Sequence, residues 1–80
     1  MPDPQMMPVS SSTVHMVGYD PKEQQLHVIF KSGPMIYVYD DFPAHKFAEF
    51  MKSKSKGLYA HNQIKNHYSF RKLRPLPPKL

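Results

Sequence analysis

Tyr37 and Tyr39 stand one residue apart in the run Met35-Ile36-Tyr37-Val38-Tyr39. In a strand, alternate side chains leave the same face, so the two rings stand side by side. Such a pair is a core wall or a platform on which bases stack, each stacked base contributing about 1–3 kcal/mol. Ile36 and Val38, the more apolar pair, are expected to face the core and leave the tyrosines on the open face. A second candidate is Ser55-Lys56-Gly57 before a helix, where a serine cap, free N–H groups and a lysine would suit a phosphate. A capped helix with glycine in its turn has the same sequence. Tyr59, Asn62 and Lys65 follow on that helix, with Asn62 and Lys65 one turn apart on a polar, basic face. Arg71 and Lys72 add cations beyond it.

Other groupings carry less chemistry. His15, His27, His45, His61 and His67 lack the spacing of a helical ligand pair, and no metal is expected. Asp40-Asp41 point to opposite faces if they end a strand, and read as a turn and a helix cap. No nucleophile, base and orienting group can be read together, so no enzyme and no cofactor are expected.

The elements that would position these residues follow from periodicity. Thr13–Tyr19 alternates, with Val14, Met16 and Gly18 on one side, and Asp20-Pro21-Lys22-Glu23 closes it as a turn. Gln25–Phe30 places Leu26, Val28 and Phe30 on one face. Lys31-Ser32-Gly33-Pro34 turns the chain, with Gly33 free to take a positive φ. Met35–Tyr39 is the third strand. Short connections favour an antiparallel meander. Asp41 as N-cap and Pro43 in the first turn then start a helix whose apolar face is Phe47, Phe50 and Met51. A second helix starts near Ser55. The expected fold is α+β: a three-stranded antiparallel meander followed by two short helices packed on one sheet face. Its core candidates are Val14, Leu26, Val28, Phe30, Phe47, Phe50, Ile64 and Tyr68.

Eighty residues allow one small domain. The absence of cysteine excludes disulfides and thiolate metal sites. No apolar run is long enough to span a bilayer, and Met1-Pro2-Asp3-Pro4-Gln5 is not a secretion signal. A soluble cytoplasmic protein is the expectation. The net charge of +5 is uneven: residues 1–45 hold two lysines against five carboxylates, residues 46–80 nine lysines and arginines against one glutamate. That imbalance points to a polyanionic partner for the second half.

In order and spacing these residues resemble the KTSC domain, a module found at the C-terminus of some lysyl-tRNA synthetases and as small stand-alone proteins of bacteria and phages. The resemblance rests on Ser11-Ser12, Tyr19-Asp20, Leu26-His27-Val28-Ile29-Phe30 with Gly33, the central Tyr37-Val38-Tyr39 matching a YxY motif, Pro43, Phe47, Ser55-Lys56-Gly57-Leu58-Tyr59 and Ile64-Lys65. After the S-x-G-x-[YF] stretch the family has an aromatic residue and an asparagine. Ala60 and His61 stand there in this chain, with Asn62 one place later. The synthetase context implies RNA as a ligand.

The resulting organisation is a flexible arm over 1–9, a KTSC-like domain over 10–70 and a basic, proline-rich tail over 71–80. The expected function is a non-enzymatic nucleic-acid module, RNA foremost, using Tyr37, Tyr39, Ser55, Lys56, Gly57, Tyr59, Asn62, Lys65, Arg71 and Lys72. Its rivals are a nucleotide-like small ligand and a protein partner. An exposed sheet edge would accept a partner's strand or a second copy.

Overall fold

The computed structural model describes residues 5–65 and 67–75. Residues 1–4 of the expected arm and 76–80 of the expected tail lie outside them. In chain order the elements are β1 (Met7–Pro8), β2 (Val14–Asp20), β3 (Gln25–Phe30), β4 (Met35–Tyr39), α1 (Ala44–Lys52), α2 (Lys56–Tyr59) with a π-helical turn over Ala60–Ile64, and β5 (Phe70–Pro75). The sheet has five antiparallel strands in sequential order, not three. Met7 and Pro8 pair with Val17 and Met16, and Phe70 pairs with Tyr39. Both extra strands come from stretches whose proline and basic content masks their pairing. The two helices fall between the neighbouring strands β4 and β5.

Register decides the faces. Leu26 pairs with Tyr39 and Val28 with Tyr37, so both tyrosines share the face of Leu26, Val28 and Phe30. That face packs against Phe50 of α1 and Ala60 and Ile64 of the second helical segment. Tyr39 is only 2 % exposed. The expectation that the tyrosines occupy the open face is therefore wrong. The polarity argument assumed one buried face, but Ile29, Ile36 and Val38 are also buried on the opposite side, with His27. Where both faces are covered, the more apolar pair no longer marks the helix side.

Three local expectations also change. The β2–β3 register shifts between Val14 and Met16. This bulge puts Val14, Val17 and Tyr19 on the helix face, replacing the expected Val14, Met16 and Gly18 set. Asp41 is not a cap: Pro43 holds the N-cap position with no side-chain bond, and Asp41 takes φ 55°. The other positive φ, 53°, is at Gln24 rather than Gly33. Elsewhere local chemistry follows the sequence. Asp20 Oδ1 accepts the N–H groups of Lys22 and Glu23, fixing the first turn. Of the core candidates, Phe47 and Tyr68 are half-buried at its edge, and the rest are buried. Tyr39, Phe42, Val17 and Ala60 complete it.

Candidate functional site

Ser11 begins the site. Its hydroxyl accepts the N–H groups of Thr13 and Val14, both at 3.1 Å, and bends the chain into β2. Thr13 is then pinned from two sides. Its carbonyl accepts the Lys31 N–H at 2.7 Å. Gly57 packs so closely that a Cβ there would lie 2.8 Å from Thr13 Oγ1. Glycine at 57 lets the second helical segment settle against this corner.

From that corner a cleft of about 430 Å³ opens along the helix side of β3, β4 and β5. Ser12, Thr13, Lys31 and Ser32 line it with Phe30, Tyr37, Tyr39, Lys65 and Phe70. Its aromatic part is built by register: Phe30 ends β3, Tyr37 follows on β4, and Phe70 opens β5. Tyr37 meets Phe30 edge-on and Phe70 at a tilt, each with centroids 5.6 Å apart. Tyr39 packs against Phe70 at 5.7 Å. Burial, and secondarily Tyr37, raises the Tyr39 phenol above its ordinary pKa, so the Tyr39 hydroxyl stays neutral. Phe70 is 51 % exposed, which leaves a ring face open.

Two ammonium groups stand over these rings. Lys65 Nζ lies 4.9 Å from the Phe30 centroid, and Lys72 Nζ 6.0 Å from that of Tyr37. No carboxylate among the described residues pairs with either lysine. A cation over a ring at an exposed site is held by only about 0.5–1 kcal/mol. Both are therefore available to a stronger anionic partner. Beside the cleft, and sharing Lys65 and Phe70 with it, runs a polar groove lined also by His67, Tyr68 and Ser69.

Of the expected site residues, the cleft gathers Tyr37, Tyr39 and Lys65, with Lys72 at the Tyr37 ring. The rest go elsewhere. Ser55 caps the second helical segment by accepting from Leu58 N at 3.2 Å. Lys56 Nζ donates to the Ser53 carbonyl at 3.0 Å. Ser55, Tyr59 and Asn62 line a separate, smaller depression. Tyr59 donates to Glu49 Oε1 at 2.8 Å and ties α2 to α1. Burial first, then this bond, pushes the Tyr59 phenol well above its ordinary pKa, while the bond from Tyr59 and the nearby Lys46 lower that of Glu49. Asn62 lines that depression while Lys65 lines the cleft, the two being separated by a π turn closed by Lys65 N donating to the Ala60 carbonyl. Arg71 leaves the opposite sheet face, level with Val38, and pairs with Asp40 at 3.2 Å. Sequence reasoning missed Ser12, Thr13, Lys31, Ser32 and Phe70, and took Phe30 for core alone. The available signal was the hydroxyl run Ser10-Ser11-Ser12-Thr13 and the alternation of Phe70, Lys72 and Arg74.

No three His, Asp or Glu converge on a metal position among the described residues. No helix among them is long and apolar enough to cross a membrane.

Comparison with known proteins bears on this architecture as a whole. A crystal structure of a KTSC domain protein from Yersinia pestis superposes with a TM-score of 0.82 at 35% identity, over 89% of this chain and 99% of that one. A protein of Tsukamurella paurometabola is 33% identical over 63 residues, covering 79% of this chain and 92% of the relative. The KTSC domain family model matches residues 10–68. That range includes Phe30, Tyr37, Tyr39 and Lys65, while Phe70 and Lys72 lie beyond it. The chain belongs to the KTSC domain family.

Proposed function

We propose that this protein is a non-enzymatic nucleic-acid-binding module that seats a base of single-stranded RNA in the aromatic cleft. The observation that carries this reading is the exposed Phe70 ring beside half-buried Tyr37 and buried Phe30, beneath two lysines with no carboxylate partner among the described residues. A base has the planar face such rings stack, and its phosphates supply the anions the lysines lack. The basic second half of the chain adds long-range attraction. The family's place at the C-terminus of some lysyl-tRNA synthetases is in keeping with this ligand. Neither histidine nor carboxylate lines the cleft, which favours binding over acid–base chemistry there.

A second reading, a free nucleotide-like ligand, is favoured by the size of the cleft. Its 430 Å³ falls near the small end of the range for ligand sites, about 300–1,000 Å³.

The test is titration of labelled single-stranded RNA at two salt concentrations. Affinity should fall with salt, with a log–log slope of about −0.7 for each phosphate engaged. Tyr37→Leu should weaken binding by about 1–3 kcal/mol while the domain stays folded. Absence of binding at low salt, or an unchanged affinity in the folded variant, rejects the proposal.

A further inference from the structure

The surface around the cleft changes character sharply at Lys65. On one side are the ring faces of Phe30, Tyr37 and Phe70. On the other is the groove lined by Lys65, His67, Tyr68, Ser69 and Phe70, which offers ammonium, imidazole and hydroxyl groups. The one aromatic residue particular to that groove, Tyr68, has its ring packed edge-on against Phe42 at 4.8 Å, so it is not a free platform. A strand continuing past the cleft would bring its next base to this groove, where the one open ring, Phe70, is the ring the cleft's own base covers. A phosphate would find a cation and two kinds of hydrogen-bond donor. Neither cleft nor groove has a carboxylate in its lining to repel it.

We infer that cleft and groove together form one site for a nucleoside monophosphate group, with the base against Phe30, Tyr37 and Phe70 and the phosphate held by Lys65, His67 and Ser69. The inference rests on the base-stacking reading of the cleft and adds to it the form of phosphate preferred. A phosphomonoester carries about −1.5 to −2 charges at neutral pH and has three terminal oxygens, whereas an internal diester carries one charge. Lys65 at the seam and Lys72 over Tyr37 are suited to the larger charge. The same chemistry is presented by a free nucleoside monophosphate and by the phosphorylated end of a strand.

The experiment compares one RNA sequence in four forms: 5′-phosphorylated, 3′-phosphorylated, with hydroxyl ends, and as a covalently closed circle. Free nucleoside monophosphates and nucleosides serve as competitors. The inference expects one phosphorylated form to bind at least about tenfold more tightly than the circle, from charge-assisted bonds to the extra phosphate charge. Monophosphates should compete where nucleosides do not. His67→Gln, at an exposed position, should lower binding of the preferred phosphorylated form by more than it lowers binding of the circle, and so shrink that preference. If all four RNA forms bind alike, the inference falls and the nucleic-acid reading stands. If monophosphates bind and no RNA does, the inference stands with the free nucleotide as its source, and the nucleic-acid reading falls. If nothing binds, both fall. A preference that survives both His67→Gln and Lys65→Met also overturns the assignment of the groove.

Discussion

Lys56 and Lys65 open and close one helical segment and end in different situations. Lys56 returns to its own turn and donates to the Ser53 carbonyl. Lys65 emerges past the π turn and rests over the Phe30 ring. The first lysine completes a capped turn together with Ser55. The second borders an open cleft, with no carboxylate paired to it among the described residues. A serine-lysine-glycine turn suggests an anion site in sequence, and here it works as scaffold. Its third member, Gly57, shapes the cleft from behind by making room for Thr13. The turn serves as scaffold, and the cleft beside Lys65 stays open.

The sharpest way to break this division is to remove a cleft residue that also belongs to the core. Tyr39→Ala deletes a ring that is 2 % exposed and packed in the central cluster. It should cost about 3–5 kcal/mol, measured by denaturant unfolding. Tyr37, half-buried on the same face, should cost much less on replacement by leucine and should act mainly on ligand affinity. Equal stability losses for the two would mean that the cleft is simply an imperfectly packed part of the core.

Much of the fold could be read from residues 14–39. Leu26, Val28 and Phe30 alternate cleanly and Asp20 marks its turn; beyond that stretch, Ser55 marks a helix start. The face of the tyrosines could not be read, because it depends on register: the pairing of Leu26 with Tyr39 and of Val28 with Tyr37 links the two strands' patterns. The bulge after Val14 is invisible for the same reason, since an extra residue costs nothing locally in a run of strand formers. β5 was hidden by composition. Phe70–Pro75 carries three cations and a proline, the features by which edge strands resist pairing, and these also make a strand read as a tail. The site suffers from both effects at once. Its rings come from β3, β4 and β5, and no single segment displays them together.

The next prediction moves from the cleft to the turn. Gly57→Ala places a Cβ 2.8 Å from Thr13 Oγ1 and 2.9 Å from Thr13 Cβ. The Thr13 Cβ cannot swing away as the tip of a long side chain would, so the helix or the corner must shift. Stability should fall by about 1–3 kcal/mol in denaturant unfolding. Because Thr13 lines the cleft, ligand affinity should fall too, although residue 57 itself does not line it. Lost stability with unchanged affinity would separate the turn from the cleft completely.

The smallest effect is the most discriminating one, because it compares the two lysines directly. Lys56→Met and Lys65→Met remove the same charge from one helical segment, so each lowers the protein's general attraction for a polyanion by a similar amount. Of the two, Lys65 alone lines the cleft and groove, where the proposed ligand would bring its phosphate. Its loss should reduce the magnitude of the log–log salt slope of RNA binding by about 0.7, the release expected for one phosphate contact on a single strand. Lys56→Met should leave that slope unchanged and instead loosen the turn, because the Ser53 carbonyl loses the donor it has from Lys56. Measuring slopes rather than affinities matters here: a nonspecific charge effect moves both variants together, whereas a contact moves one. Equal changes in slope would place the ligand on the basic surface at large and deny the cleft its role.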